Sequence, residues 1–147
     1  MKVKYRAWDK VRKEFGIVWS INFMGGNVET NERTIDFDDV ELMQYTGFED
    51  REGTEIYEGD IIELVFVNDE LIVAVMNERI KEEDVNKDDL EEVERYEVYY
   101  NSKHGCYCIA NLDPEIRERE TVNWLDDSDM LSEWNKEAKV IGNIYEI

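Results

Sequence analysis

The sequence predicts a mainly β protein of antiparallel hairpins with a few short helices, and three observations carry that expectation. Val3, Tyr5 and Ala7 alternate with Lys4, Arg6 and Trp8, and Tyr96, Val98 and Tyr100 alternate in the same way; period two is the mark of a half-buried strand. Residues 61–67 (IIELVFV) are rich in branched and aromatic side chains, which fit a pleated surface. Turn-forming residues punctuate these runs at Gly25-Gly26-Asn27, at Gly53, at Glu58-Gly59-Asp60 and at His104-Gly105.

Each element follows in order. Residues 3–8 and 15–23 form a first hairpin across a polar turn, and the Gly25-Gly26 pair ends it. Residues 28–39 carry isolated apolar positions at Ile35 and Phe37 and read as a short strand and loop. Leu42, Met43 and Tyr45 lead into a turn around Gly53, and Ile56-Tyr57 resumes the apolar pattern. Residues 61–67 and 71–76 read as a second hairpin around Asn68-Asp69-Glu70. Residues 79–97 read as an acidic insertion, with a short helix near 88–94 or a charged loop. Residues 96–100 and 106–112 form a third hairpin. Asp113-Pro114-Glu115 is a helix-start signal, with Pro at the first helical position. Residues 121–124 look extended, and Asp126-Asp127-Ser128-Asp129 caps a short helix holding Met130, Leu131 and Trp134. Residues 139–145 close the chain as a strand. One domain is expected over 1–147, with an N-terminal hairpin region at 1–40 and a barrel-like core at 41–147. The run Gly59-Asp60-Ile61-Ile62-Glu63-Leu64 after an aromatic residue and a turn is how many SH3-like barrels open a strand, so the C-terminal two-thirds is expected to form such a barrel.

Three ordered motifs carry a family resemblance. The first is Lys4-Tyr5-Arg6-Ala7-Trp8-Asp9. The second runs Gln44-Tyr45-Thr46-Gly47, Asp50, Gly53 and Ile56-Tyr57-Glu58-Gly59-Asp60. The third is Gly142-Asn143-Ile144-Tyr145. Together they resemble the signature of the YopX family, small proteins of phages and prophages of Gram-positive bacteria. The resemblance spans the whole chain. It implies a phage or prophage accessory protein in the bacterial cytoplasm. It carries no activity or cofactor with it.

Composition narrows the function classes. The formal net charge is −20, and residues 1–13 carry +5 of it, which leaves −25 on the rest. Such a body repels polyanions, so binding of a nucleic acid backbone is disfavoured and a basic host or phage protein is the better partner. A basic edge and an acidic body on one chain also favour a homo-oligomer. No apolar run is long enough to span a membrane, and the charged start has no secretory apolar core. Two cysteines imply no disulfide framework and suit a reducing cytoplasm.

No catalytic set emerges. The serines lie in no nucleophile-elbow context, and no Gly-rich phosphate loop is present. His104, Cys106 and Cys108 are the candidate metal ligands, since alternate strand residues share a face and thiolate with imidazole suits zinc. The plainer reading is a turn histidine beside two packed thiols. The acidic clusters Asp38-Asp39, Glu82-Glu83-Asp84, Asp88-Asp89 and Asp126–Asp129 lack calcium-loop spacing and read as solvated faces and caps. The basic arm Lys2, Lys4, Arg6, Lys10, Arg12 and Lys13 interleaves with Tyr5 and Trp8, a pattern that can hold single-stranded nucleic acid. Its plainer reading is pairing with acidic neighbours. The expected function is therefore a non-enzymatic, acidic protein-interaction module. A nucleic-acid-associated small barrel is the alternative, and a carboxylate-dependent hydrolase the outlier.

Overall fold

The structure is a computed structural model, and it describes residues 3–115 and 130–146. The alternating start of the chain becomes β1 (Tyr5–Asp9), which pairs antiparallel with β2 (Glu14–Asn22). Asp9 makes the turn between them, because its carboxylate accepts the backbone N–H groups of Val11 and Arg12 at 3.0 Å each. Opposite Ala7 stands Gly16, where an added Cβ would lie 2.9 Å from Thr30 Cβ; only glycine fits that crossing. β3 (Asn27–Thr30) and β4 (Thr34–Asp36) complete the run that follows the Gly25-Gly26 turn. A 3-10 turn at Phe37–Asp39 leads to β5 (Val40–Glu49), and β6 is Glu55–Tyr57. These six strands form one antiparallel sheet in the order β4-β3-β2-β1-β5-β6. Its core is Ala7, Val28, Ile35 and Val40, with Val18, Phe37 and Leu42 packed against it.

A second sheet is built from β7 (Asp60–Val67), β8 (Glu91–Asn101), β9 (Cys106–Asn111) and β10 (Lys139–Asn143), in the order β10-β7-β8-β9. Ile62, Leu64, Val98 and Ile109 point into its core beside Leu131 and Ala138. Ile56 joins this cluster from the last strand of the first sheet, so the two sheets share buried surface. Between β7 and β8 lie α1 (Asp69–Met76), a 3-10 turn at Glu82–Asp84 and α2 (Lys87–Leu90). The short helix α3 (Leu131–Trp134) drives Leu131 into the core and sets Trp134 edge-on to Phe66, 5.7 Å between ring centres.

Three expectations are corrected. The SH3-like barrel is not closed: the strand expected to close it, β10, pairs with β7, and β9 stands at the other edge of an open sheet. Residues 71–76 are helical in α1 and do not return as a strand. Asn68 caps that helix by accepting the Leu71 N–H (3.1 Å), and Asp69 and Glu70 occupy its first turn; both are helix-start signals. Both sides of β7 are already taken, by β10 and β8. The helix expected near 88–94 is confined to α2, and strand β8 begins at Glu91. The hairpins expected at 3–23 and 96–112 correspond to β1–β2 and β8–β9, and the last strand, expected over 139–145, is β10, which ends at Asn143. The expected extended segment at 121–124 and the cap at 126–129 lie outside the described residues, as does all but the first turn of the helix expected from Asp113.

Ile62→Ala, deep in the second core, is expected to lower the free energy of unfolding by about 2–5 kcal/mol in urea titration. Ile17→Ala, on an exposed strand face, should stay within about 0.5 kcal/mol. Equal effects at the two sites would contradict this packing.

Candidate functional site

Asp60 opens β7 and is 1% exposed. It follows Gly59, whose φ of +85° turns the chain back on itself and would strain any other residue. One Asp60 oxygen accepts the Tyr57 N–H at 2.8 Å, which closes the turn. The other accepts Arg6 Nη2 at 2.5 Å and Asn143 Nδ2 at 3.1 Å. Asn143 in turn accepts the Tyr145 N–H at 2.9 Å. The Arg6 guanidinium lies between the rings of Phe15 and Tyr57, 4.5 and 4.6 Å from their centres. Strands from the start, middle and end of the chain thus meet on one carboxylate.

Asp50 performs a similar service nearby. One of its oxygens accepts the N–H groups of Glu52 and Thr54, and the other accepts the Val140 N–H at 2.9 Å. Burial alone would raise its pKa. The N–H bonds from Val140, Thr54 and Glu52, with the charge of Arg51, outweigh burial and hold it below the usual aspartate value. Thr46 donates to the Ile56 carbonyl at 2.7 Å, and Trp8 stacks on Tyr145 while meeting Phe15 at a tilt. The three sequence motifs are therefore one assembled knot.

Beside this knot Glu58, Tyr107 and Tyr145 form a half-buried acidic and aromatic patch, the cup. Glu58, in the turn before Gly59, has its backbone N–H on the Gln44 carbonyl (2.9 Å). Its carboxylate has no hydrogen bond or ion pair among the described residues, and burial raises its pKa. Tyr107 from β9 donates its hydroxyl to Gln44 Oε1 at 3.0 Å. Burial, and then the neighbouring Glu58, Tyr5 and Tyr100, push the Tyr107 phenol up to about 12. Tyr145 is also raised, first by burial and then by Glu41, Glu58 and Glu97. The Tyr100 and Tyr107 rings meet edge to face, 5.2 Å between centres. A desolvated carboxylate whose charge is felt by two neighbouring phenols, Tyr107 and Tyr145, suits a cation, which would gain a counter-charge there. Asp60 already holds Arg6 in that manner.

A family model described as "YopX protein" matches residues 4–147. The chain belongs to the YopX family. Among solved structures it is similar to the crystal structure of protein EF1440 from Enterococcus faecalis. The TM-score is 0.52 at 21% identity, covering 99% of this chain and 95% of that one. That likeness concerns the fold. No curated protein matches.

Of the remaining sequence candidates only Arg6 belongs to the YopX knot. His104 lies in the exposed β8–β9 turn, while Cys106 and Cys108 share a strand face with their sulfurs 3.7 Å apart. No group of three metal-ligating side chains converges among the described residues. Of the basic arm, Lys4 pairs with Glu55 at 2.7 Å, Arg6 with Asp60 and Lys10 with Glu41 at 3.7 Å. Arg12 and Lys13 are exposed in the β1–β2 turn, and Lys2 lies outside the described residues. Asp38-Asp39, Glu82-Glu83-Asp84 and Asp88-Asp89 occupy separate short helical turns, and Asp126–Asp129 lies outside the described residues. Tyr5, Gln44, Glu58 and Tyr145 stand in the sequence motifs, whereas Tyr107 stands in none of them. The contact between Tyr107 and Gln44 spans 63 residues and leaves no local signal.

Two outcomes follow. Asp50→Asn offers one acceptor oxygen to three N–H groups, so it should cost about 1.5–3 kcal/mol at pH 7. Because the folded-state pKa of Asp50 is depressed, its contribution is complete above the ordinary aspartate range and is lost as pH falls through the folded value. The gap between wild type and variant should therefore close in acid, as read by thermal unfolding. Glu58 has the opposite sign. Its folded-state pKa is raised, so the charge opposes folding once pH exceeds the ordinary glutamate range. Glu58→Gln should hold or raise Tm at pH 7, and a marked drop there would mean that the carboxylate supports the fold.

Proposed function

We propose that this YopX chain is a non-enzymatic interaction module, an accessory protein of phage or prophage origin that binds a basic partner protein. The observation that carries the reading is Glu58: a half-buried carboxylate with no partner among the described residues, close enough to Tyr107 and Tyr145 to raise both phenols. The cup would take a lysine or arginine side chain of the partner, and the −25 charge of the body would steer that partner in. The nucleic-acid alternative is weakened by the ion pairs that occupy Lys4, Arg6 and Lys10. The same pairs reduce the free positive charge that self-association through a basic edge would use. The phage context rests on family membership, and the cytoplasm is the matching setting. No helix of the described residues is long and apolar enough to cross a membrane.

The test is a tagged pull-down from a bacterial host lysate, with and without nuclease, using wild type, Glu58→Gln and Tyr107→Phe. A stoichiometric protein that survives nuclease and is retained about tenfold less by Glu58→Gln is the expected result. Partners lost on nuclease treatment would transfer the reading to nucleic acid. Retention unchanged by Glu58→Gln would remove the cup from the interaction.

A further inference from the structure

A second face is separated from the cup by the length of β7, about 26 Å for eight extended residues. There the end of β7, helix α1 and the start of β8 leave six large apolar side chains exposed: Val65, Val67, Val73, Met76, Ile80 and Val93. Register brings three of them together. Val65 and Val93 are direct cross-strand partners, and Val67 lies two residues on, so all three share a face. Asn68 ties α1 to this corner, since its backbone N–H bonds the Leu90 carbonyl at 2.7 Å. Residues 71–76 are apolar throughout, yet no residue of α1 is buried. Val73 and Met76, three residues apart, likewise share one side of α1, and exposed apolar side chains grouped in this way mark an interaction site.

Charge selects the occupant. Residues 69–94 hold eleven acidic and three basic side chains, a net −8. Glu70, Glu78, Glu82, Glu83, Glu91 and Glu92 are all exposed around the apolar centre. A second copy would bring the same acidic rim, and an anionic membrane surface would be repelled. A segment with an apolar stripe flanked by lysine or arginine satisfies both the centre and the rim. We infer that this lobe docks a basic amphipathic segment of a partner protein. The inference rests on the reading of the chain as a binding module, but it concerns a face that Glu58 does not touch.

The experiment titrates the full chain into a fluorescent leucine–lysine peptide patterned as an amphipathic helix, followed by anisotropy. A scrambled peptide of the same composition is the control. The expected result is saturable binding to the patterned peptide, at least several-fold weaker for the scrambled one. Val73→Gln with Met76→Gln should weaken it about tenfold, as removal of central apolar anchors does, and Glu58→Gln should leave it unchanged. Both substituted positions are exposed, and circular dichroism checks that the fold is intact. Equal binding of the scrambled peptide, or full binding by the double variant, overturns the proposal. Loss of binding in Glu58→Gln alone would place the peptide in the cup, overturning the lobe while sparing the module. Light scattering that shows a wild-type dimer dissolved by the double variant would assign the face to a second copy and overturn it too.

Discussion

Burying a carboxylate costs several kcal/mol unless counter-charge and hydrogen bonds replace the lost water, and Asp60 is buried almost completely. The fold meets that demand from three directions. The Tyr57 N–H comes from the adjoining turn, Arg6 from the first strand and Asn143 from the last. Each donor is useless to Asp60 unless its own strand is already in register. The ion pair therefore reports, and enforces, the alignment of β1, β7 and β10 at once. Arg6 is in turn held flat by Phe15 and Tyr57 and touched by Met43, so its position depends on β2 and β5 as well. Removing either charge would strand the other in an apolar setting.

The same knot explains how so acidic a chain stays compact. Most of its surplus charge is spread over exposed turns and the α1–α2 corner, where water screens it. Four cations pair within the molecule: Arg6 with Asp60, Arg33 with Asp9, Lys4 with Glu55 and Lys10 with Glu41. Asp9 shows the local version. The Arg12 N–H lowers its pKa against the effect of burial, and the Val11 N–H and the Arg33 charge add to it. A partner is then recognised by its positive charge and by the few places where the surplus negative charge meets aromatic or apolar surface.

Much of the β architecture was legible because alternation and turn chemistry are local. Tyr5, Ala7, Tyr96 and Val98 announced their strands, and Gly53 and Gly59 announced their turns. The family motifs were legible too, though as a string; that Arg6, Asp60 and Asn143 meet could not be read from their spacing. Residues 71–76 misled because Ile72, Val73 and Val75 are branched and favour strands, whereas the deciding signals were Asn68, Asp69 and Glu70 just before them. The barrel failed for a non-local reason: whether a sheet closes depends on which edge the last strand reaches, and β10 reached β7. The cup shares that difficulty. Its side chains come from β9 and two turns, and no segment carries enough of it to be noticed.

Glu58 and Asp60 make the contrast on which a functional reading turns. They are two carboxylates flanking one glycine, and Gly59 at φ +85° sends them in opposite directions. Asp60 goes inward, and three donors converge on it: Arg6, the Tyr57 N–H and Asn143. Glu58 goes to the rim of the core, loses part of its water, and gains no donor among the described residues. A purely structural turn would tolerate glutamine at that position, and the raised pKa implies that glutamine would cost the fold nothing. Local rules of this sort tend to be broken where a site has some other use for the strain. A desolvated carboxylate beside two phenols is poorly suited to stability and well suited to receiving a cation from outside. Asp60 fixes the turn, and the turn sets Glu58 at the edge of the core without a donor among the described residues.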